Sequence, residues 1–199
     1  MPATLMTPAQ ALTLIDNPPI RHLTRPTRWA DLEAFVGAAS TRSSSVATFA
    51  SLGCGSGLFT LTLAGLLQPG STVYAIDRHP TIAQQMTANQ VSIQPQKNDF
   101  VKKDLGLRDL DGLVMANSFH YVKDKPALLK TLKAILRPTH YFLIVEYDRT
   151  KAVPVWVPYP MGFAALESLF HAAGYTTVTR LGQMPSAFGG SNLYGAVIS

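Results

Sequence analysis

A glycine-rich segment constrains the fold of this chain more than any other feature. Residues 49–59 read FASLGCGSGLF, with apolar residues on both sides of three alternate glycines. Glycine allows positive φ angles and removes the side chain that would keep a ligand away from the backbone. The pattern predicts a buried strand, a tight loop and a helix, with the loop N–H groups and the helix N-terminus directed at a polar or anionic ligand.

An acidic residue follows at the spacing typical of nucleoside-binding folds. The apolar run at residues 73–76 ends in Asp77, which follows Gly57 by 20 residues. A carboxylate at the tip of the second strand can accept hydrogen bonds from both hydroxyls of a ribose. Nicotinamide and flavin folds require a third glycine where this chain has Leu58, so the pattern does not fit those cofactors.

Apolar runs and helical patterns alternate through the rest of the chain. Predicted strands lie at residues 46–52, 72–76, 113–116 and 141–148, with a short one within 91–100 and two more near 176–181 and 193–198. Predicted helices lie at residues 58–67, 80–89, 124–137 and 163–173. This alternation predicts an α/β fold with a mostly parallel sheet and helices on both faces.

The first 45 residues precede this alternating pattern. Helical patterns at residues 8–16 and 27–36 flank a proline-broken stretch, and a polar linker follows. We expect residues 1–45 to form an N-terminal helical segment on the substrate side and residues 46–199 to form the main domain.

Composition narrows the functional classes. A chain of 199 residues that is 47% hydrophobic can bury one core. The net charge of +5 comes from scattered Lys and Arg residues, so nucleic-acid binding is not indicated. No apolar run is long enough to cross a membrane, no signal peptide is evident, and Cys54 is the single cysteine. We expect a cytoplasmic protein without a membrane partner or a metal site, acting as a monomer or homodimer.

The glycine loop, Asp77 and the later motifs together resemble the class I S-adenosylmethionine-dependent methyltransferases, over residues 46–199. This resemblance implies a Rossmann-like doubly wound sheet of about seven strands with an antiparallel last strand. It also implies S-adenosylmethionine as cofactor and S-adenosylhomocysteine as product. The implied cofactor contacts are Leu52, Gly53, Cys54, Gly55, Gly57, Asp77, Arg78, Asp99, Phe100, Asn117 and Ser118.

Four of these contacts have specific roles in the family. Asp99 would accept a hydrogen bond from the adenine amine, and the Phe100 N–H would donate to the adenine ring. Asn117 and Ser118 would face the methionine part of the cofactor. Cys54 is expected to serve as a small side chain in a tight loop.

The substrate side is predicted from residues that follow the fourth and fifth strands. His120 is the candidate general base, with a structural histidine as the alternative. Tyr121 and Glu146 are further candidates, although Tyr121 suits a core position and Glu146 suits a carboxylate that holds loop N–H groups. Trp156 and Tyr159 belong to the segment VPVWVPYPMGF, which is either a substrate lid or a rigid proline-rich connector.

The expected activity is methyl transfer to an oxygen, nitrogen or carbon atom of a small molecule. Two alternatives remain: a non-catalytic S-adenosylmethionine-binding or regulatory protein, and an RNA or protein methyltransferase. The first is suggested by Ser51, because the family usually has Asp or Glu at this position. The second is suggested by the positive net charge.

We predict that Ser51→Asp tightens the binding of S-adenosylmethionine, because charged hydrogen bonds exceed neutral ones by about a factor of two. Calorimetric affinity and melting temperature, measured together, check this. Weaker binding with a lower melting temperature would show instead that the site has repacked around serine, because a buried carboxylate without donors is costly.

Overall fold

The computed structural model describes residues 46–185 and 191–199. The expected N-terminal helical segment lies outside the described residues, so the domain division at residue 45 stays a prediction. None of the helices within the described ranges has the length and apolar character required to cross a membrane.

One mixed sheet organises the described chain. Its elements in chain order are β1 (Thr48–Leu52), α1 (Leu58–Leu66), β2 (Thr72–Asp77), β3 (Gln85–Met86), β4 (Ser92–Lys97), β5 (Leu110–Ala116), a 3-10 turn (Phe119–Tyr121), α2 (Lys125–Lys133), β6 (Leu136–Tyr147), α3 (Phe163–Ala172), β7 (Val178–Pro185) and β8 (Asn192–Ile198). The strand order is β3-β4-β2-β1-β5-β6-β8-β7. The expected Rossmann-like α/β fold is confirmed.

Parallel pairing of the central strands brings their carboxyl ends to one edge of the sheet. The neighbours β4, β2, β1, β5 and β6 pair in parallel, so their carboxyl ends meet at one edge of the sheet. β8 pairs antiparallel with both β6 and β7, as expected for the end of the chain. The chain order reverses between β1 and β5, and ligands of such sheets bind at this switch point.

Apolar side chains on both faces of the central strands explain why these strands are buried. Leu52, Ile76 and Leu113 belong to the core on the face that α2 and α3 cover. Phe49 and Val73 belong to the core on the face that α1 covers. The strands are apolar on both faces, which is the pattern of a parallel sheet between two helical layers.

The predicted helix at residues 80–89 is wrong. The segment instead contains β3, which pairs antiparallel with β4 and adds an eighth strand among the described residues. The Asn89 side-chain amide donates to the carbonyls of Ala64 and Leu67, both at 2.9 Å, at the C-terminal end of α1. The pairing with β4 and the bond from the Thr87 N–H to the Val91 carbonyl take the place of helical backbone bonds in this segment, while the Asn89 amide satisfies orphan carbonyls of α1.

The boundary between α2 and β6 also differs from expectation. α2 ends at Lys133, and β6 already begins at Leu136 and runs for 12 residues. The start of α2 follows the sequence pattern, because the Asp124 carboxylate accepts a hydrogen bond from the Ala127 N–H at 3.0 Å. This is the N-cap interaction that favours Asp before a helix.

Gly57 and Gly65 form a matched pair for testing the loop. Gly57 has φ of +87°, and a Cβ built there would lie 2.3 Å from Ile82 Cδ1, whereas a Cβ on Gly65 within α1 meets nothing within 4 Å. We predict that Gly57→Ala lowers the free energy of unfolding by about 2 to 4 kcal/mol through strain and overpacking. Gly65→Ala should raise it by about 0.5 to 1 kcal/mol.

Denaturant unfolding of both variants measures these changes. Equal effects of the two substitutions, or a neutral Gly57→Ala, would contradict the role of Gly57 in the turn before α1.

Candidate functional site

The glycine loop is braced on the end of β2. The N–H groups of Gly53 and Cys54 donate to the carbonyl of Ile76 at 2.8 and 3.1 Å, and the Gly57 N–H donates to the Cys54 carbonyl at 2.8 Å. The expectation that these N–H groups face a ligand is therefore wrong, since they are already bonded within the protein. What the loop offers a ligand is close approach to its backbone.

Asp77 holds the same loop from its side chain. Its Oδ2 accepts from the Gly55 N–H and its Oδ1 from the His79 N–H, both at 2.9 Å. A carboxylate has about four acceptor positions, so these two bonds leave room for further donors. Asp77 is thus fixed at the end of β2 with acceptor capacity to spare, as binding to ribose hydroxyls requires.

A close contact joins the ends of β1 and β5. The Ser118 hydroxyl donates to the Leu52 carbonyl at 2.7 Å and is buried. A Cβ on Gly53 would lie 2.4 Å from the Ser118 Cβ, so glycine is needed for this approach. Ser118 therefore has a structural role, because it holds the glycine loop against the end of β5. The sequence pattern did not predict this role.

Asn117, like Asn98 directly after β4, has a buried side-chain oxygen without a partner among the described residues. Its backbone adopts φ of 53°, and its N–H donates to the Val145 carbonyl at 2.8 Å. Its side-chain Oδ1 is buried and has no hydrogen-bond partner among the described residues. Buried polar atoms are normally satisfied, so this acceptor fits a donor such as the ammonium of an amino-acid ligand.

The segment after β4 lies against the loop. The Phe100 ring approaches to 3.6 Å from a Cβ built on Gly53. The Asp99 Oδ1 accepts a hydrogen bond from the Val101 N–H at 3.1 Å, and the Asp99 side chain is partly exposed. Arg78 is exposed next to Asp77. The predicted cofactor contacts after β1, β2, β4 and β5 are thus brought to one edge.

Burial decides the chemistry of Cys54. Desolvation, and then the charge of Asp77, raise the pKa of the Cys54 thiol to about 12. The thiol stays protonated at neutral pH and is a poor nucleophile. Ser51 is buried in β1, so an acid in its place would also be buried.

His120 and Glu146 form a buried pair. His120 Nδ1 lies 2.7 Å from Glu146 Oε2, and both side chains are almost completely buried. Glu146 Oε1 accepts from the backbone N–H groups of Phe119 and His120 at 2.8 and 3.1 Å. A carboxylate accepts and does not donate, so Nδ1 carries the proton and Nε2 is the basic nitrogen.

This geometry is compatible with His120 as a general base and with a structural role for both residues. Glu146 holds loop N–H groups, and the same carboxylate orients His120 as in a base–carboxylate pair. Asp148, two residues further along, acts elsewhere. It accepts from the Phe163 N–H at 3.0 Å at the start of α3 and pairs with Arg180 at 2.6 Å.

Lys125 is a functional-site neighbour that sequence reasoning missed. Its buried Nζ donates to the carbonyls of Val122 and Tyr159, both at 2.8 Å. The Tyr159 N–H donates to the His120 carbonyl at 3.0 Å. Burial lowers the pKa of Lys125, and the nearby Glu146 opposes this shift. The ammonium thus ties the segment after β6 to the His120 turn, and no local sequence pattern predicts its burial.

The segment containing Trp156 forms a tight turn. Val153 and Val157 bridge each other, and the Trp156 N–H donates to the Val153 carbonyl at 3.2 Å. Val155 sits at the third turn position with φ of 71°, a conformation disfavoured for a β-branched residue. Val155 is 80% exposed and Trp156 69% exposed. The tip of this segment therefore does not pack on the core. Tyr159, at the base of the segment, is held by its backbone bonds to His120 and Lys125.

Tyr121 is half exposed.

Known proteins resemble this chain in sequence pattern and in fold. Residues 50–140 match the family model described as a methyltransferase domain. No curated protein sequence matches the chain. The structure is similar to that of a SAM-dependent methyltransferase from Aquifex aeolicus, with 19% identity, a TM-score of 0.56 and coverage of 98% of each chain.

Two ligand-bound structures share the fold. One is 1,6-didemethyltoxoflavin-N1-methyltransferase from Burkholderia thailandensis, at 18% identity and TM-score 0.60, covering 100% of this chain and 92% of that one. It contains 1,6-didemethyltoxoflavin and S-adenosylhomocysteine. The other is magnesium protoporphyrin IX methyltransferase from Synechocystis PCC 6803 with bound SAM, at 16% identity and TM-score 0.59, covering 85% and 77%.

We predict that Asp77→Ala weakens binding of S-adenosylmethionine more than tenfold. The substitution removes charge-assisted contacts worth about 1.5–3 kcal/mol each and also releases the Gly55 N–H. Titration calorimetry measures the affinity, and Glu167→Ala on α3 is the control for loss of a carboxylate. A loss of affinity below about tenfold, with the fold intact by circular dichroism, would mean that Asp77 is not the ribose acceptor.

Proposed function

Residues 50–140 belong to the methyltransferase-domain family, whose methyl donor is S-adenosylmethionine, and from this premise we propose that the chain methylates a small organic molecule. The observation that carries the proposal is the set of strand-end groups at the switch point. Asp77 with spare acceptor capacity ends β2, Asn117 with its Oδ1 unpartnered among the described residues follows β5, and the His120–Glu146 pair joins the turn after β5 to the end of β6.

The residues at this edge of the sheet are suited to bind the methyl donor S-adenosylmethionine. Asp77 would accept from the ribose hydroxyls, and Asn117 Oδ1 would accept from the amino-acid ammonium. Phe100, which lies against the loop, would contact the adenine. When bound, S-adenosylmethionine supplies a methyl group made electrophilic by its sulfonium, and positioning of the two reactants provides most of the acceleration.

His120 is suited to take the proton of an acceptor hydroxyl or amine. Its Nε2 is the basic nitrogen because Glu146 holds the Nδ1 proton. In this role Nε2 would accept the proton that the acceptor atom loses, and the imidazolium that forms would be stabilised by the buried carboxylate 2.7 Å away. Lys125 and the anchored Tyr159 keep the wall beside this histidine in place.

Small molecules are the favoured acceptor class because several proteins of similar fold are named as methyltransferases of small molecules. They include the 1,6-didemethyltoxoflavin and magnesium protoporphyrin IX methyltransferases and an arsenic(III) methyltransferase from Chlamydomonas reinhardtii. The alternative of a non-catalytic binding protein rests on Ser51, which replaces a carboxylate in the first strand. Binding and turnover, measured side by side, separate the two.

The test begins with calorimetry and a methyl-transfer assay. We expect S-adenosylmethionine and S-adenosylhomocysteine to bind and nicotinamide cofactors not to bind. A panel of phenols, amines and carboxylic acids supplies candidate acceptors. Absence of binding for both ligands at millimolar concentration would overturn the proposal, and binding without transfer to any acceptor would favour the non-catalytic alternative.

Glu146→Gln tests the role assigned to His120. The glutamine amide can still accept from the Phe119 and His120 N–H groups, but its NH₂ donates to Nδ1 and forces the proton onto Nε2. We expect methyl transfer to fall by about 100-fold or more, while S-adenosylhomocysteine affinity changes by less than about threefold. Equal losses in transfer and affinity would mean that Glu146 serves only to hold the turn.

A further inference from the structure

A groove of about 650 Å³ lies between α2 and the connection from β4 to β5. This connection, residues 98–109, contains one turn, in which the Lys102 and Lys103 N–H groups donate to the Asp99 carbonyl at 3.0 Å. Crossovers between parallel strands usually carry an α-helix. Because this crossover has none, none of the residues in the described ranges covers one flank of α2.

The floor of the groove is apolar. Leu128 and Ile135 are 5% exposed and belong to the main core, and the partly buried Phe100 packs against that core. Ala127 and Thr131 lie one helical turn apart on the flank of α2, and their small side chains leave the space open. An occupant of the groove would bury apolar surface against this floor.

The rim of the groove is positively charged. Lys102, Lys103, Arg108 and Lys123 line it, against two carboxylates, Asp104 and Asp124.

Both carboxylates already have partners. Asp104 lies 3.4 Å from Arg108, and Asp124 caps α2. Lys102 lies 4.0 Å from Asp99, whereas Lys103 and Lys123 have no ion pair within the described ranges. The rim therefore keeps two uncompensated ammonium groups above an apolar floor.

We propose that this groove binds a small organic anion with an apolar body, an aryl or acyl carboxylate or phosphate. The volume lies within the range of about 300–1,000 Å³ that is typical of small-molecule sites. Charge complementarity with Lys103 and Lys123 selects the anion, and the floor around Leu128 selects the apolar body. Phe100 is the one aromatic residue among the described lining, so a single-stranded nucleic acid lacks the stacking platforms it needs.

This site is separate from the acceptor position proposed beside His120. It shares Phe100 with the proposed adenine contact, so an occupant would touch the cofactor site only at that ring. The groove proposal does not depend on methyl transfer, and its test gives a result whether or not S-adenosylhomocysteine binds.

The probe is 8-anilinonaphthalene-1-sulfonate, an aryl anion whose fluorescence rises in apolar sites. Titrations are run on the full chain with and without saturating S-adenosylhomocysteine, which keeps the probe out of the cofactor site. The neutral N-phenyl-1-naphthylamine, which has the same ring system without the sulfonate, is the matched ligand. We expect one site per chain for the anion and at least tenfold weaker binding of the neutral analogue.

Two variants assign the site. The double substitution Lys103→Gln with Lys123→Gln should lower probe affinity at least tenfold, whereas Lys130→Gln, at an exposed lysine of α2 outside the groove, should leave it unchanged. Ala127→Trp, at an exposed position, should fill the groove and abolish probe binding without lowering the melting temperature. Competition by 2-naphthoate and by 2-naphthyl phosphate then identifies which anionic group the rim prefers.

Three results would overturn the proposal. The first is probe binding that neither the double substitution nor Ala127→Trp changes. The second is equal affinity for the anionic and the neutral probes, or complete displacement by S-adenosylhomocysteine. The third is competition by single-stranded RNA and not by either naphthyl anion, which would assign the rim to nucleic acid.

Discussion

The site depends on one fully buried carboxylate. The two oxygens of Glu146 on β6 accept hydrogen bonds from four donors: the backbone N–H groups of Phe119, His120 and Tyr147 and the imidazole of His120. A buried charge is tolerated only with such partners. Because the donors of Phe119 and His120 follow β5 and the acceptor belongs to β6, this interaction fixes the turn after β5 relative to the sheet edge. His120 and Lys125 extend the same connection to Tyr159 and the segment after β6.

Asp77 plays a parallel part at the other side of the switch point. It holds backbone N–H groups of Gly55 and His79 while keeping acceptor positions for a ligand. Ser118 joins the two sides by bonding to the Leu52 carbonyl. Polar residues at these strand ends thus carry out two tasks at once: they satisfy the backbone of irregular loops and they define the geometry that a ligand meets.

The sequence predicted the fold where the physical signal was local. The glycine loop, the apolar strands and Asp77 at the end of β2 are encoded in short patterns, and the switch point follows from the alternation of strands and helices. The Asp124 cap and the start of α2 could be predicted for the same reason. These features need no knowledge of distant parts of the chain.

The remaining features depend on tertiary contacts that no local pattern contains. The helix expected at residues 80–89 gives way to β3 because Asn89 caps α1 and the strand covers the sheet edge. The use of the loop N–H groups by Ile76 and Asp77 requires the register of β1 against β2. The Lys125 ammonium bonds to the carbonyl of Tyr159, 34 residues away, and no local pattern predicts this contact.

A glycine loop that is already hydrogen-bonded loses little conformational entropy when a ligand arrives. The N–H groups of Gly53, Cys54, Gly55 and Gly57 all have protein partners. A ligand that associates with this edge then requires no disorder-to-order step in the loop, so little conformational entropy is lost there. Capture of a nucleoside ligand at this edge accordingly resembles docking onto a rigid template, with a heat-capacity change limited to the apolar surface that the ligand covers.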